Sequence, residues 1–209
     1  RDLVRSRGLG DVYKRQAMYQ QLERTMLLPF ADGDVDAATA AILTNKLLQL
    51  AGGAVYDENG KAQIVHDQKL EVLDQLIEEA NGQPVLVFYN YKHELDRLQA
   101  RYPQAIHVKE ENVVKRWNAK EIPILLANPA SAGHGLNLQF GGHIAIWYSP
   151  TWNLEFFQQA NKRLHRRGQA ETVLIHTLMA KGTIDERIYD IVLRNKEAVS
   201  YTHLTLPTT

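Results

Sequence analysis

Val85–Arg101 reads VLVFYNYKHELDRLQAR, and the change of rhythm at Asn90 decides the fold. VLVFY is a short continuous apolar run, the mark of a strand covered on both faces. A helix follows over about Lys92–Arg101. Downstream the alternation repeats: a strand at Ala105–Val108, a helix at Glu111–Ala119, a buried strand at Pro123–Ala127, and a third apolar run at Ile144–Tyr148. A helix over Asn153–Arg166, a strand at Thr172–Leu178 and a last helix to about Ala198 complete the series, Thr183 and Glu186 forming a capping box. Strand–helix alternation implies parallel crossovers and a doubly wound, mainly parallel α/β sheet. In such sheets ligands bind at the carboxyl ends of strands, so the loops after Tyr89, Ala127, Tyr148 and Leu178 are the candidates.

Upstream, the pattern predicts a helix over Met18–Leu28, stopped by Pro29, and a second helix capped by Asp34 or Asp36 that runs to about Ala51. Asp57-Glu58-Asn59-Gly60 sits between two short apolar stretches and signals a hairpin. Asp67 is expected to cap a helix to about Asn81. Residues 17–66 then form a helical and hairpin appendage, and 67–198 the main lobe.

The chain has 209 residues, no Cys and a formal net charge of zero. Disulfide and thiolate chemistry are absent, which fits a reducing cytoplasm. No apolar run approaches the roughly 18 residues of a membrane span. Zero net charge argues against a broadly basic nucleic-acid coat, so any DNA contact must be a local patch. The eight His residues are scattered without ligand spacing, and no metal site is expected.

Both ends read as foreign. Asp11–Gln16 (DVYKRQ) and Val199–Leu204 (VSYTHL) resemble inverted translations of the transposon end used in tagmentation sequencing libraries. Residues 1–16 and 199–209 are therefore set aside as sequencing artefact. The interior holds 19 Lys/Arg and 22 Asp/Glu, a net of −3, because the leading sixteen residues carry five basic and two acidic side chains and the last eleven none.

Chemistry concentrates in two loops. Asn128–Gly142 (NPASAGHGLNLQFGG) is rich in small residues, which suits close approach of a phosphate or an ordinary flexible connection. Trp152–Gln169 (WNLEFFQQANKRLHRRGQ) ends in Lys162, Arg163, Arg166 and Arg167. Arg163 and Arg166 are three apart and share a face if helical. Two guanidinium forks suit a polyphosphate, and a solvated basic helix end is the alternative. Trp147, Tyr148, Phe156 and Phe157 read as core, Trp117 as half-buried on a surface helix, and Asp185-Glu186-Arg187 as helix capping with weak local ion pairing. No G-x-x-x-x-G-K-[ST] loop occurs.

In order, these segments resemble the second motor lobe of Swi/Snf-type ATPases, within the superfamily-two helicases. VLVFYNYKHELDRL resembles motif IV, ILLANPASAGHGLNLQFGGHIAIWY motif V, and WNLEFFQQANKRLHRRGQ motif Va running into motif VI, whose form is Q-A-x-x-R-x-x-R-x-G-Q. The likeness spans Gln83–Leu193 and extends more loosely back through KLLQLAGG; AGHGLN and the YDENG hairpin resemble phage and prophage forms. It implies a RecA-like helicase C-terminal lobe. Arg163 and Arg166 would be arginine fingers for the γ-phosphate of ATP, with Gln159, Gly135, Asn137 and Gln169 beside the nucleotide. Tyr89, Asn90, Ser131, Gly133, His134, Leu136, Trp152 and Asn153 would contact double-stranded DNA or couple it to the nucleotide. Three positions depart from the family: Ala132 replaces a glycine, Ser149 an aspartate whose polar anchor is thereby lost, and Leu154 a proline.

Walker A, the acidic Mg²⁺ box and the other first-lobe motifs do not occur. The resemblance implies that ATP with Mg²⁺ is bound mainly by a missing N-terminal motor lobe, that the lobe is inactive alone, and that the intact protein is a translocase of a bacterial or phage-infected cytoplasm. The alternatives are a non-catalytic DNA-binding or partner-binding RecA-like module, and the helicase part of a restriction-modification enzyme. Sequencing the uninterrupted gene upstream of Ala17 is expected to find a G-x-x-x-x-G-K-[ST] loop and an acidic Mg²⁺ box. A gene beginning near Met18 would instead favour the binding module.

Overall fold

The structure is a computed structural model and describes residues 20–21, 37–132, 136–193 and 201–206. α1 (Ala37–Ala51) leads into the hairpin β1 (Ala54–Tyr56) and β2 (Ala62–Ile64). α2 (Gln68–Glu79), β3 (Val85–Phe88), α3 (Lys92–Arg101), β4 (Ile106–His107), α4 (Val113–Asn118) and β5 (Ile124–Ala127) follow. Next come α5 (Pro129–Ala132), β6 (Ile144–Trp147), α6 (Leu154–Asn161), β7 (Leu174–Ala180) and α7 (Ile184–Ile188), which passes into a π-turn at Tyr189–Leu193. Gln20 and Gln21 are helical; the rest of the helix expected over Met18–Leu28, the caps Asp34 and Asp36, and the end near Ala198 lie outside the described residues.

Apart from the antiparallel β1–β2 pair, the strands, with β8 (Tyr201–Leu206), form one parallel sheet in the order β4-β5-β3-β6-β7-β8. Central β3 pairs Val85 with Ile124 on one side and with Ile144 on the other. The last strand, β8, comes from the stretch set aside as foreign and runs parallel to β7 from Ile175 to Ala180. An unpaired strand edge offers a row of backbone donors and acceptors to any extended segment that reaches it.

Alternation along the strands divides the core in two. Leu86, Phe88, Leu125, Ala127, Ala145 and Trp147 face α1, α4, α6 and α7. Val85, Val87, Tyr89, Ile124, Leu126, Ile144, Ile146 and Tyr148 face α2 and α3. Both faces are covered, which is why these strands read as unbroken apolar runs. Leu47, Leu48, Leu50 and Ala51 of α1 belong to the first of these clusters, so the described part of 17–66 shares the lobe's core.

Local chemistry refines or departs from expectation at five places. Asp67 stands at the start of α2 but makes no capping bond; its carboxylate takes Arg97 Nη2 at 2.8 Å instead. The hairpin loop is closed by Asp57, whose carboxylate accepts from Asn59 N, Lys61 N and Gln63 Nε2, each at 2.9 Å. Thr183 caps α7 through Asp185 N, while Glu186 reaches Gly182 N at 3.0 Å rather than Thr183. Asp185 is no surface residue: it is fully buried, 2.6 Å from the equally buried Lys69 of α2, and it accepts from Ala180 N at 3.0 Å. Trp117 is also fully buried, its indole donating to Leu138 O at 2.8 Å. Gly141 permits this, because a Cβ there would lie 2.3 Å from the Trp117 ring and carbonyl.

The described end of the appendage is fastened by polar contacts as well. Gly52 O accepts from Arg97 Nη1 at 2.8 Å and Tyr148 Oη at 3.1 Å. Tyr56 Oη accepts from His93 N at 2.8 Å, and the His93 ring lies against Tyr91 and edge-on to Tyr56.

Removing one partner of a buried ion pair strands the other charge. Lys69→Met is expected to lower the unfolding free energy by about 3–5 kcal/mol, and Lys69→Met with Asp185→Leu to recover a large part of it. Urea unfolding of both variants checks this; a single variant as stable as the parent would refute it. His93 supplies a pH test. Burial, aided by the Arg97 charge, lowers its pKa from 6.5 to about 4. Between those values the unfolded chain binds a proton that the folded ring refuses, so stability falls as pH drops through that window. His93→Phe is expected to lose less stability than the parent between pH 6.5 and 4, read from unfolding midpoints.

Candidate functional site

The segment after β6 is built by helix capping and then by interruption. Asn153 Oδ1 accepts from Phe156 N at 3.0 Å and starts α6. The helix stops at Asn161, not at Arg166. Asn161 Oδ1 is taken by the Trp147 indole at 3.0 Å, and Leu164 turns inward to full burial. Beyond them the chain runs in turns, with Arg163 N bonded to Ala160 O and Arg166 N to Leu164 O. Arg163 and Arg166 therefore do not share a helical face. They still meet: with Gln159, Lys162, His165 and Arg167 they line one concavity of about 480 Å³. Arg163 is half-buried and the other cations are exposed. Among the described residues no carboxylate lines the hollow, and the Gln159 amide donates to Glu155 Oε1 at 2.7 Å beside it. Clustered guanidinium and ammonium groups facing one space suit an anion with several phosphate oxygens.

A second constellation forms where β3, β5 and β6 end. Asn90 Nδ2 donates to Pro150 O at 2.7 Å and Ser149 O at 3.3 Å. Asn128 Nδ2 donates to Tyr89 O and Asn90 O at 3.3 and 3.2 Å, and its Oδ1 accepts from Ala130 N at the start of α5. Glu94 is fully buried beneath them. Its Oε2 accepts from Asn90 N at 2.8 Å and Tyr91 N at 3.1 Å, and its Oε1 from Ser149 Oγ. Burial pushes the Glu94 pKa up, against the lowering effect of these bonds and of the Lys69 charge. Ser149 is thus a buried polar anchor, contrary to the loss expected from its replacing an aspartate. Its hydroxyl supplies the donor and Glu94 the carboxylate.

The remaining sequence candidates are dispersed. Tyr89 is buried, with its hydroxyl 2.8 Å from His107 Nε2, and offers no open ring face. Ser131 lies on α5, which packs beside α6. Gly133, His134 and Gly135 lie outside the described residues. Leu136 is packed against the core, and Asn137 O accepts from Asn118 Nδ2 at 2.9 Å. Gln169 stands apart from the basic hollow. Its amide donates to Gln139 O at 2.8 Å and Gly142 O at 3.0 Å and accepts from Glu171 N, bracing the start of β6. Gly141 and Gly142 serve the packing of Trp117 and Pro84 rather than a ligand. Trp152 is 38% exposed beside the Ser149–Pro150 loop. Among the described residues no three His, Asp or Glu side chains converge as a metal requires. No described helix is long and apolar enough to cross a membrane.

Sequence reading missed Glu94, Asn128 and Asn161. KHELDRL reads as a polar surface helix, and nothing in it marks the glutamate as buried.

The chain is similar to several known proteins. Residues 68–168 match the helicase conserved C-terminal domain. Protein p41 of Acyrthosiphon pisum secondary endosymbiont phage 1 is 39% identical over 184 residues, covering 85% of this chain and 40% of that protein. The chromatin-remodeling ATPase INO80 of Mycosarcoma maydis is 33% identical over 148 residues, 64% of this chain and 8% of its own length. A Bacillus subtilis protein named as an ATP-dependent helicase/translocase, YwqA, is 27% identical over 92% of this chain and 18% of its own. The chain thus spans well under half of each relative. The C-terminal part of the Fun30 ATPase domain has the same fold, with a TM-score of 0.60, 17% identity, and coverage of 88% of this chain and 86% of that one. Residues 68–168 are thus a helicase conserved C-terminal domain within a RecA-like lobe, and the chain is similar to the C-terminal lobe of Swi/Snf-type helicase-like ATPases.

Proposed function

We propose that this lobe is the second motor half of a DNA-dependent ATPase that translocates on double-stranded DNA. The observation that carries the reading is the basic hollow at the end of α6, where Arg163 and Arg166 meet with Gln159, Lys162 and His165. In this reading the two arginines reach across an interlobe cleft to the γ-phosphate and stabilise the charge spread over it during transfer. ATP and its Mg²⁺ are held mainly by the N-terminal lobe. The loops after β3 and β5 take the DNA backbone through main-chain N–H groups and polar side chains, a grip independent of sequence and sensitive to salt. Without its partner lobe, this chain positions no attacking water and turns over no ATP.

Arg166→Ala in the intact protein is expected to lower DNA-stimulated ATP turnover by roughly 10³-fold or more, while duplex affinity stays within a few fold. Steady-state hydrolysis and fluorescence-anisotropy titration check the two halves. Near-normal turnover in this variant would sink the arginine-finger assignment.

A further inference from the structure

The loops that leave β3, β5 and β6 are tied by side chains rather than by sheet bonds. Asn90 reaches Ser149 O and Pro150 O, Asn128 reaches Tyr89 O and Asn90 O, and Ser149 Oγ donates to Glu94, which also holds Asn90 N and Tyr91 N. We propose that Glu94 and Ser149 form a positioning latch: the pair makes the loops after β3 and β5 move as one body with Ser149–Asn153, the segment that starts α6 and leads to the basic hollow. The consequence for catalysis rests on the motor-lobe reading; the mechanical tie does not.

Burial gives the latch its stiffness. Glu94 and Ser149 are 0% and 1% exposed, so water cannot replace either partner when the loop shifts. A buried acceptor left empty keeps its full desolvation cost. The carboxylate belongs to α3 and is anchored by the helix start it accepts from, so only the Ser149 side can let go. Lys69 lies near enough to favour the charged carboxylate, and Asp185 fixes Lys69 from behind. Coupling through such a chain is physical only if a change at one loop alters another.

Hydrogen exchange on the chain without DNA supplies that criterion. In Ser149→Ala, the amides of Asn90–Lys92, Asn128 and Ala130, none of them substituted, are expected to exchange about tenfold faster, with the centre of β5 unchanged. Unchanged rates in those two loops would overturn the latch. Glu94→Gln, which keeps the shape and drops the charge, is expected to loosen Ser149–Asn153 in the same way; a rigid Ser149–Asn153 there would also overturn it. In the intact protein, Ser149→Ala is expected to retain basal ATP turnover and lose about tenfold of the stimulation by duplex DNA. Full stimulation in the variant would overturn the coupling role. A parent protein that DNA does not stimulate would instead overturn the motor reading, and the exchange rates would still judge the latch.

Discussion

A carboxylate sealed from water under the end of a parallel sheet sets the terms for this lobe. Glu94 takes donors from the two residues before its own helix and from the loop after β6. Bonds to the ionised form and the Lys69 charge offset part of its desolvation, yet burial still holds its pKa above the ordinary value. The surroundings conform to it. Gly52 must lack a side chain, since a Cβ there would stand 2.6 Å from Glu94 Oε1. The Gly52 carbonyl in turn receives Arg97 and Tyr148, which brings α1 and the hairpin down onto α3. A buried acidic group thus fixes the described part of the appendage, the strand-end loops and the start of α3 in one arrangement.

The apolar core and this polar layer divide the labour. Residues alternating along β3, β5 and β6 fill two cores, one on each side of the sheet. That packing is non-directional and would tolerate small shifts of the loops above it. Hydrogen bonds at the strand ends are directional and expensive to leave unmade, so they set where the loops stop. The basic hollow hangs from the same frame. Asn161 is held by Trp147, a residue of β6 itself, and the turn that follows carries the arginines into one space.

Much of this was legible in the residues. VLVFY, ILLA and IAIW read as buried parallel strands because both faces of each are covered, and both faces must then be apolar. α3 occupies the expected Lys92–Arg101. Arg163 and Arg166 meet in one hollow, although the helix expected to present them ends at Asn161. Helical periodicity sees spacing along one element; it cannot see that the Trp147 indole claims the Asn161 side chain or that Leu164 must turn inward. The same limit hid Trp117. Its neighbours Lys115 and Arg116 read as surface, and only the approach of Gly141 from a distant loop buries it.

The strand–helix alternation follows from patterns local in the chain: apolar runs, turn residues and the periodicity of the segments between them. Which polar residues go inside does not, because burial of a charge is decided by partners far apart in sequence. Lys69 and Asp185 are 116 positions apart and meet at 2.6 Å, while Glu94 and Ser149 meet across 55. Sequence determined that this chain folds as a parallel α/β lobe with a basic cluster at residues 162–167. Tertiary structure alone decided which carboxylates lose their water and which loops are tied together, because desolvation is a property of the whole packed neighbourhood.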